Sequence, residues 1–418
     1  MKRIFVLLLT ALMLFLASSS WANGNSEQAP ASITLTVSTN MVGEPEGVLK
    51  AIADDFAKAN PNIKIDYSAP GKDYENIMKV KMASKQLPDV FSTHGWAIIR
   101  YGQFLADLRN ESWVPKINSG IRSIITDKNG MVYVLPMDQD KAAIVYNVDV
   151  LKQFGVEPPL NLADFEKACE TIKEKSNGTV APIHVGGADS WPIGQLYDFL
   201  ATSYFVSPAS NNASQLLDGS FDWSKWTPLS DKLLDWYDRG FFNKDALTAK
   251  FSDSAAALAA GKMAFAFYGG YLVEEAKKTN PNVNGGLIPV PAVVPGDTAT
   301  FVGGEKATWG AWKDSKRLDA AKKFIAFYAK PENIKRVAES DRLMPGLDGV
   351  DVDIGFARQY YDRYKDYRTF PYFDRVYLPN GMFDTLCKNA QDLFAKAVTP
   401  DQVSQNFQKE YLRLRAAK

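Results

Sequence analysis

Histidine and cysteine are nearly absent from this chain, which carries two of each in 418 residues. So few ligands cannot build a Cys-rich zinc site, and neither histidine stands in an HExxH pair. Charge of one sign is not in excess either: 48 basic residues face 48 acidic ones. No basic surplus points to nucleic acid, and no acidic tail points to a solvating segment. The patterns GxxxxGK[ST] and GxSxG do not occur, which excludes a P-loop and a nucleophile elbow of those forms. The stretch "DGVDVDIG" (348–355) is acidic, but Gly355 occupies the third ligand place of an EF-hand loop, so calcium is not expected. No internal repeat or low-complexity block is visible. A cofactor is not expected.

Long apolar runs are missing after the first 17 residues. That first segment reads as a targeting signal, 1–22. Lys2 and Arg3 are followed by 14 mostly apolar residues (4–17), fewer than the roughly 20 that a spanning helix needs. Small residues at Ser20 and Ala22 offer cleavage after Ala22. No cysteine stands there to carry a lipid. The expectation is an exported chain in the periplasm, with a net charge of −2 once Lys2 and Arg3 are lost. Export permits a disulfide between Cys169 and Cys387, but two buried free thiols fit the sequence equally well.

Hydrophobic residues make up 46% of the chain, and its length favours two lobes over one core. "ITLTVST" (33–39) alternates and is β-branched, so it predicts a strand. In the next segment Leu49, Ile52, Ala53 and Phe56 share one helical face, and Asn60-Pro61 stops that helix. "NIKIDYS" predicts a strand, "YENIMKVKMASKQ" a helix and "PDVFST" a strand. This rhythm means a parallel sheet covered by helices, an α/β fold. Farther on, "MVYVLPM" and "AAIVYNV" predict strands on either side of an acidic loop, "DQD". Gly261 closes "SAAALAAG", and "KMAFAFYGG" predicts a strand that ends in a glycine turn. Thr399 and Pro400 open the last helix as N-cap and first helical residue.

Several segments, in order, resemble a known family. "FAKANPNIKIDY", "MASKQLPDVF", "NGMVYVLPMDQDKAAIVYNVDVLKQFGVEPP", "AALAAGKMAFAFYGGYL" and "GLIPVPAVVPG" with "FVGGEKATWGAWKDSKRLDAAKKFIAFYAKPEN" are similar to the extracellular solute-binding proteins of ABC importers. The match is to the large sugar-binding family that includes maltose-binding protein. The likeness runs from about residue 33 to 346. It departs after Pro158-Pro159, where "LNLADF" replaces a tryptophan common in the family. The resemblance implies a two-lobed periplasmic binding protein fold with a hinge of crossing strands near 138–143, 285–292 and 333–345. Lobe 1 is expected from 31–138 with 291–335, and lobe 2 from 139–290 with 336–418. It also implies a non-catalytic monomer that binds a mono- or oligosaccharide between its lobes. Separate ABC permease transmembrane subunits would receive the sugar.

Ligands of such sheets sit beyond the carboxyl ends of the strands. A sugar offers an apolar face to aromatic rings and a rim of hydroxyls to carboxylates and amides. The candidates at strand ends are therefore Asn40, Glu44, His94, Trp96, Asp138, Asp140, Tyr268, Gly270, Tyr271, Gly304, Glu305 and Trp309. Trp191 joins them, because "HVGGADSWPIGQL" places the largest side chain at the mouth of a helix. Aromatics with acids also describe a secreted glycoside hydrolase, which needs two opposed carboxylates. A polyol or polyamine would fit the same fold.

Overall fold

The computed structural model describes residues 32–416. The expected leader, 1–22, lies outside the described residues. The alternating stretch at the start forms β1 (Ile33–Ser38), with Leu35 and Val37 turned into a core. The strands that follow are β2 (Ile63–Ser68), β3 (Val90–Phe91), β4 (Leu135–Pro136), β5 (Asp138–Ala142), β6 (Ile144–Asn147) and β7 (Ala181–Ile183). A short hairpin, β8 (Val206–Ser207) and β9 (Ser210–Asn211), precedes β10 (Met263–Phe267), β11 (Gly285–Ile288) and β12 (Phe301–Gly304). The series ends with β13 (Thr308–Ala311), β14 (Met344–Pro345) and β15 (Thr369–Pro371).

Two hydrophobic cores make the protein two-lobed. The first surrounds a five-stranded sheet in the order β2-β1-β3-β13-β4. β1 runs parallel to β2 and β3, while β13 runs antiparallel to β3 and β4. Helix Gly43–Ala59 lays Leu49, Ile52, Ala53 and Phe56 on this core, as their spacing predicts. Phe56 meets Phe324 edge-on at 5.2 Å, from helix Leu318–Tyr328. Burying such a ring is worth roughly 1.5–3 kcal/mol. Asn60 ends the helix by donating its side-chain amide to the Phe56 carbonyl at 2.8 Å.

The second core surrounds the sheet β11-β6-β10-β7. Helix Trp191–Phe205 runs through it and is buried on nearly every side. Its buried polar residues find partners inside: Gln195 donates to the Phe267 carbonyl at 2.8 Å. The helix packs against helix Met382–Phe394. The last helix, Pro400–Ala416, opens with the expected cap: Thr399 Oγ1 accepts from the Gln402 N–H at 3.3 Å, and Gln402 Oε1 accepts from the Thr399 N–H at 2.8 Å. Cys169 and Cys387 are both buried and free.

A third sheet, β14-β5-β12-β15, lies where the chain passes between the cores. Here two expectations change. "DQD" is not a loop; it begins β5, which pairs on one side with β12 and on the other with β14. Two flanking strands satisfy its backbone, so the acidic side chains do not prevent pairing. The segment 285–292 does not cross: β11 pairs with β6, and Leu287, Ile288 and Val290 are buried in the second core. Phe301 and Val302 also belong to that core, and Ala307 to the first, so this passage falls at 303–306. The glycines and prolines there accompany a fully buried strand rather than a hinge.

Candidate functional site

The end of β3 opens the site. His94 and Gly95 both take positive φ, 48° and 87°, and the turn they make carries Trp96 to the edge of the first core. The indole N–H of Trp96 donates to Asp374 Oδ2 at 3.1 Å, and the Asp374 backbone N–H donates to Asp198 Oδ1 at 2.8 Å. The first core is thus tied to helices Phe373–Val376 and Trp191–Phe205 of the second. Two guanidinium groups lie on the Trp96 ring, Arg100 at 3.9 Å and Arg375 at 4.9 Å. Gly95 makes room for this: a Cβ there would lie 2.1 Å from an Arg375 nitrogen. Trp96 therefore stands where the lobes meet, with its ring already covered.

Glu75 anchors the turn. It bonds His94 Nδ1 at 2.9 Å and accepts from Arg100, which also donates to Asn380 Oδ1 at 2.7 Å. Burial pushes the Glu75 carboxyl up, but the two partners outweigh it and hold it below its ordinary value. Burial lowers the His94 imidazole against the pull of Glu75. Asp198 lies well above the carboxylate range, first through burial and then through the adjoining Asp374.

Asp140, on β5, accepts from the Tyr372 hydroxyl at 2.6 Å, and Arg375 lies 4.0 Å over the Tyr372 ring. Gly304 pairs with Asp140 across β12 and β5. The neighbouring Gly303 has to be small, since a Cβ would lie 2.1 Å from the Asp140 carbonyl oxygen. Two residues after Gly303, Glu305 is fully buried, and neither carboxyl oxygen has a well-aligned hydrogen-bond partner among the described residues. Burial raises its pKa to about 7, against the pull of Arg375.

Asp138 does not face the site. Its carboxyl accepts from the Ala307 N–H at 2.8 Å and is wholly buried. Burial, and then the neighbouring Asp341, hold it well above its ordinary value. Lys306 Nζ donates to Asp341 at 2.6 Å, so these three residues join the crossing segments. Asp138 and Asp140 share a strand, yet one is drawn inward by backbone donors and the other stays at the meeting of the lobes.

A second aromatic group lies on the second lobe. Trp191 is half-buried at the first position of its helix, 5.4 Å from Phe251, 5.5 Å from Tyr268 and 6.4 Å from Tyr271. Tyr268 is inside: its hydroxyl accepts from the Gly186 N–H at 3.0 Å and meets Ser254 Oγ at 2.9 Å. Tyr271 is partly exposed and opens helix Tyr271–Lys277. Gly270 turns its open side to Phe356, 3.5 Å from where a Cβ would lie.

Trp309 and Glu44 stand apart, and Asn40 sits just beyond the end of β1, beside Ser92. Trp309 is core: β13 is central in its sheet, and the ring packs on Phe324 and Tyr328 at 6.0 and 5.6 Å. Glu44 is exposed in the first turn of helix Gly43–Ala59, where an acid favours the helix dipole. Asn40 accepts from Ser92 Oγ at 2.6 Å. Sequence reading missed Tyr372, Asp374 and Arg375, which complete the meeting of the lobes. The stretch "FPYFDRVYLPN" (370–380) is dense in aromatics beside an acid and a base, but it follows the last segment that resembled a family.

Comparison with known proteins supplies the lineage. Residues 43–335 match the pattern of the bacterial extracellular solute-binding proteins. The chain belongs to this family. The melibiose/raffinose/stachyose-binding protein MelE of Bacillus subtilis is 42% identical over 416 residues, 99% of this chain and 97% of the relative. Among solved structures, a binding protein of Bacillus subtilis in an open conformation is 43% identical, with a TM-score of 0.86 over 93% of this chain and 98% of that chain. A sugar transporter protein of Bacillus licheniformis in complex with stachyose is 41% identical, with a TM-score of 0.83 over 91% of this chain and all of that one. Family members are extracellular, so membership agrees with an exported chain.

Proposed function

We propose that the chain captures an oligosaccharide of the melibiose, raffinose and stachyose class between its lobes and delivers it to an ABC permease. The observation that carries this reading is the convergence of aromatic rings, carboxylates and a guanidinium from both lobes on one band. Trp96 comes from the first lobe, Tyr372 and Arg375 from the second, and Asp140 and Glu305 from the crossing segments. Trp191 and Tyr271 supply partly open rings beside it. Rings suit the C–H face of a sugar, and charged acceptors suit its hydroxyls. MelE, with its near-complete overlap, supports the choice of sugar class.

On this reading the sugar bridges the lobes and favours the closed arrangement through contacts made only there. The crossing sheet is the hinge. The chain acts as a monomer, is exported after cleavage behind Ala22, and returns its ligand unchanged. The test is a thermal-shift screen of the mature protein with melibiose, raffinose, stachyose, a polyol and a polyamine, followed by analysis of the sugars. A raised melting temperature with intact sugar supports the proposal, because a ligand of the native state stabilises it by mass action. Consumed sugar would replace it with the hydrolase reading. A shift with the polyamine alone would discard the sugar.

A further inference from the structure

Two buried polar groups in the band are left without a well-placed hydrogen-bond partner among the described residues. Neither Glu305 oxygen has a well-aligned partner there, and nor does Arg375 Nε; the Ala97 backbone N–H lies near enough to the carboxyl to hold it down slightly. Leaving a buried polar group unpaired is costly, and more so when it is charged. One is an acceptor with two open oxygens, and the other is a donor. They act on each other electrostatically without forming a hydrogen bond.

We propose that Glu305 and Arg375 are the paired acceptor and donor that select a ligand with two neighbouring hydroxyls, and that Glu305 takes that ligand as the ionised carboxylate. The assignment rests on the sugar-binding reading above and deepens it. Two adjacent hydroxyls of one ring can each donate to one oxygen of a carboxylate. A neighbouring ring oxygen or hydroxyl can accept from the guanidinium. An analogue lacking either hydroxyl would leave a buried oxygen unpaired again, which is the physical basis of strong discrimination.

Asp198 and Asp374, joined by a hydrogen bond, are also raised by burial, so Glu305 is singled out by its open oxygens rather than by its pKa. Arg375, from helix Phe373–Val376, is the charged neighbour that lowers its pKa. Lys306 turns away to Asp341, Asp140 holds the Tyr372 hydroxyl, and Asp374 holds the Trp96 indole. His94 is held on Glu75 and lies below its ordinary value. Without ligand, burial keeps Glu305 protonated up to about pH 7. Hydroxyls that donate to it favour the charged form, so binding lowers the pKa and releases a proton. Affinity must then rise as pH rises toward 7 and level off above it.

The experiment is calorimetric titration of the mature chain with raffinose and stachyose from pH 5.5 to 8.5, in buffers of different ionisation heat. Wild type, Glu305→Gln and Arg375→Lys are compared, and circular dichroism checks that each variant is folded. Expected for wild type is up to tenfold tighter binding per pH unit below 7, with up to one proton released. Expected for Glu305→Gln is binding at least tenfold weaker at pH 8, flat with pH, and without proton release. Arg375→Lys keeps the charge but loses Nε, and should weaken binding while keeping the pH slope. Sugar binding that is flat with pH in wild type, or a slope that survives in Glu305→Gln, overturns this assignment alone. A wild type that binds neither sugar at any pH overturns the functional reading and this assignment with it.

Discussion

Replacing Glu305 by Gln should stabilise the protein at pH 8 and do so less as the solution becomes acidic. The carboxyl is fully buried, and its pKa stands at about 7 against an ordinary 4.5. The folded chain therefore holds this proton more tightly than the unfolded chain. That contribution is complete below about pH 4.5 and is lost as pH rises through 7. Moving a carboxyl by this much is worth about 3 kcal/mol. Gln removes the titration while keeping the size of the side chain and one oxygen acceptor. The fixed cost of burying an amide cancels when two pH values are compared. At about 2 cal/mol/K per residue, a chain of this size converts 3 kcal/mol to about 4 °C. The assay is thermal unfolding of wild type and Glu305→Gln, without sugar, at pH 4.5, 6, 7 and 8. The variant's advantage should grow by about 4 °C across the series. A difference that stays within 1 °C would refute the reasoning, and with it the view that this carboxyl is held at a loss for the sake of a ligand.

Other outcomes follow from residues already placed. Trp191→Ala should weaken sugar binding about ten- to a hundredfold by titration calorimetry, since a partly open ring of this size is a typical hot spot. Trp309→Ala should instead lose roughly 3–5 kcal/mol of stability in denaturant unfolding, with the affinity of the folded fraction unchanged. Gly303→Ala forces the Asp140 carbonyl away from β12 and should lower stability by about 1–3 kcal/mol, read as a lower melting temperature. An unchanged melting temperature would show that the two strands give way freely.

The fold was legible because its signals are local. The alternation of β1, the apolar stripe from Leu49 to Phe56 and the Thr399-Pro400 cap each state a structure within a few residues. The site was legible only in part. Trp96, Glu305 and Trp191 were named because they follow strands or open a helix, and Asp140 because its acidic stretch reads as a loop, although it lies inside β5. Trp309 obeys the same local rule, yet its strand is slotted between two others and its ring goes inward. Asp138 and Asp140 differ by which backbone donors lie across from them, and those come from residues far along the chain. Arg375 escaped for a related reason: its role depends on Gly95 and Trp96, which lie on the other lobe.

The placing of β13 bears on how the molecule is made. The strand lies between β3 and β4 in the first sheet, yet it is synthesised only after every strand of the second sheet. A ribosome that has released residues 33–136 has therefore not released a sheet that can close. Until Thr308–Ala311 arrive, β3 and β4 face an empty slot, and their pairing waits on a partner distant in sequence. Such distant pairing delays folding. A chain exported unfolded would gain from the delay: its first sheet stays incomplete by the order of its own strands.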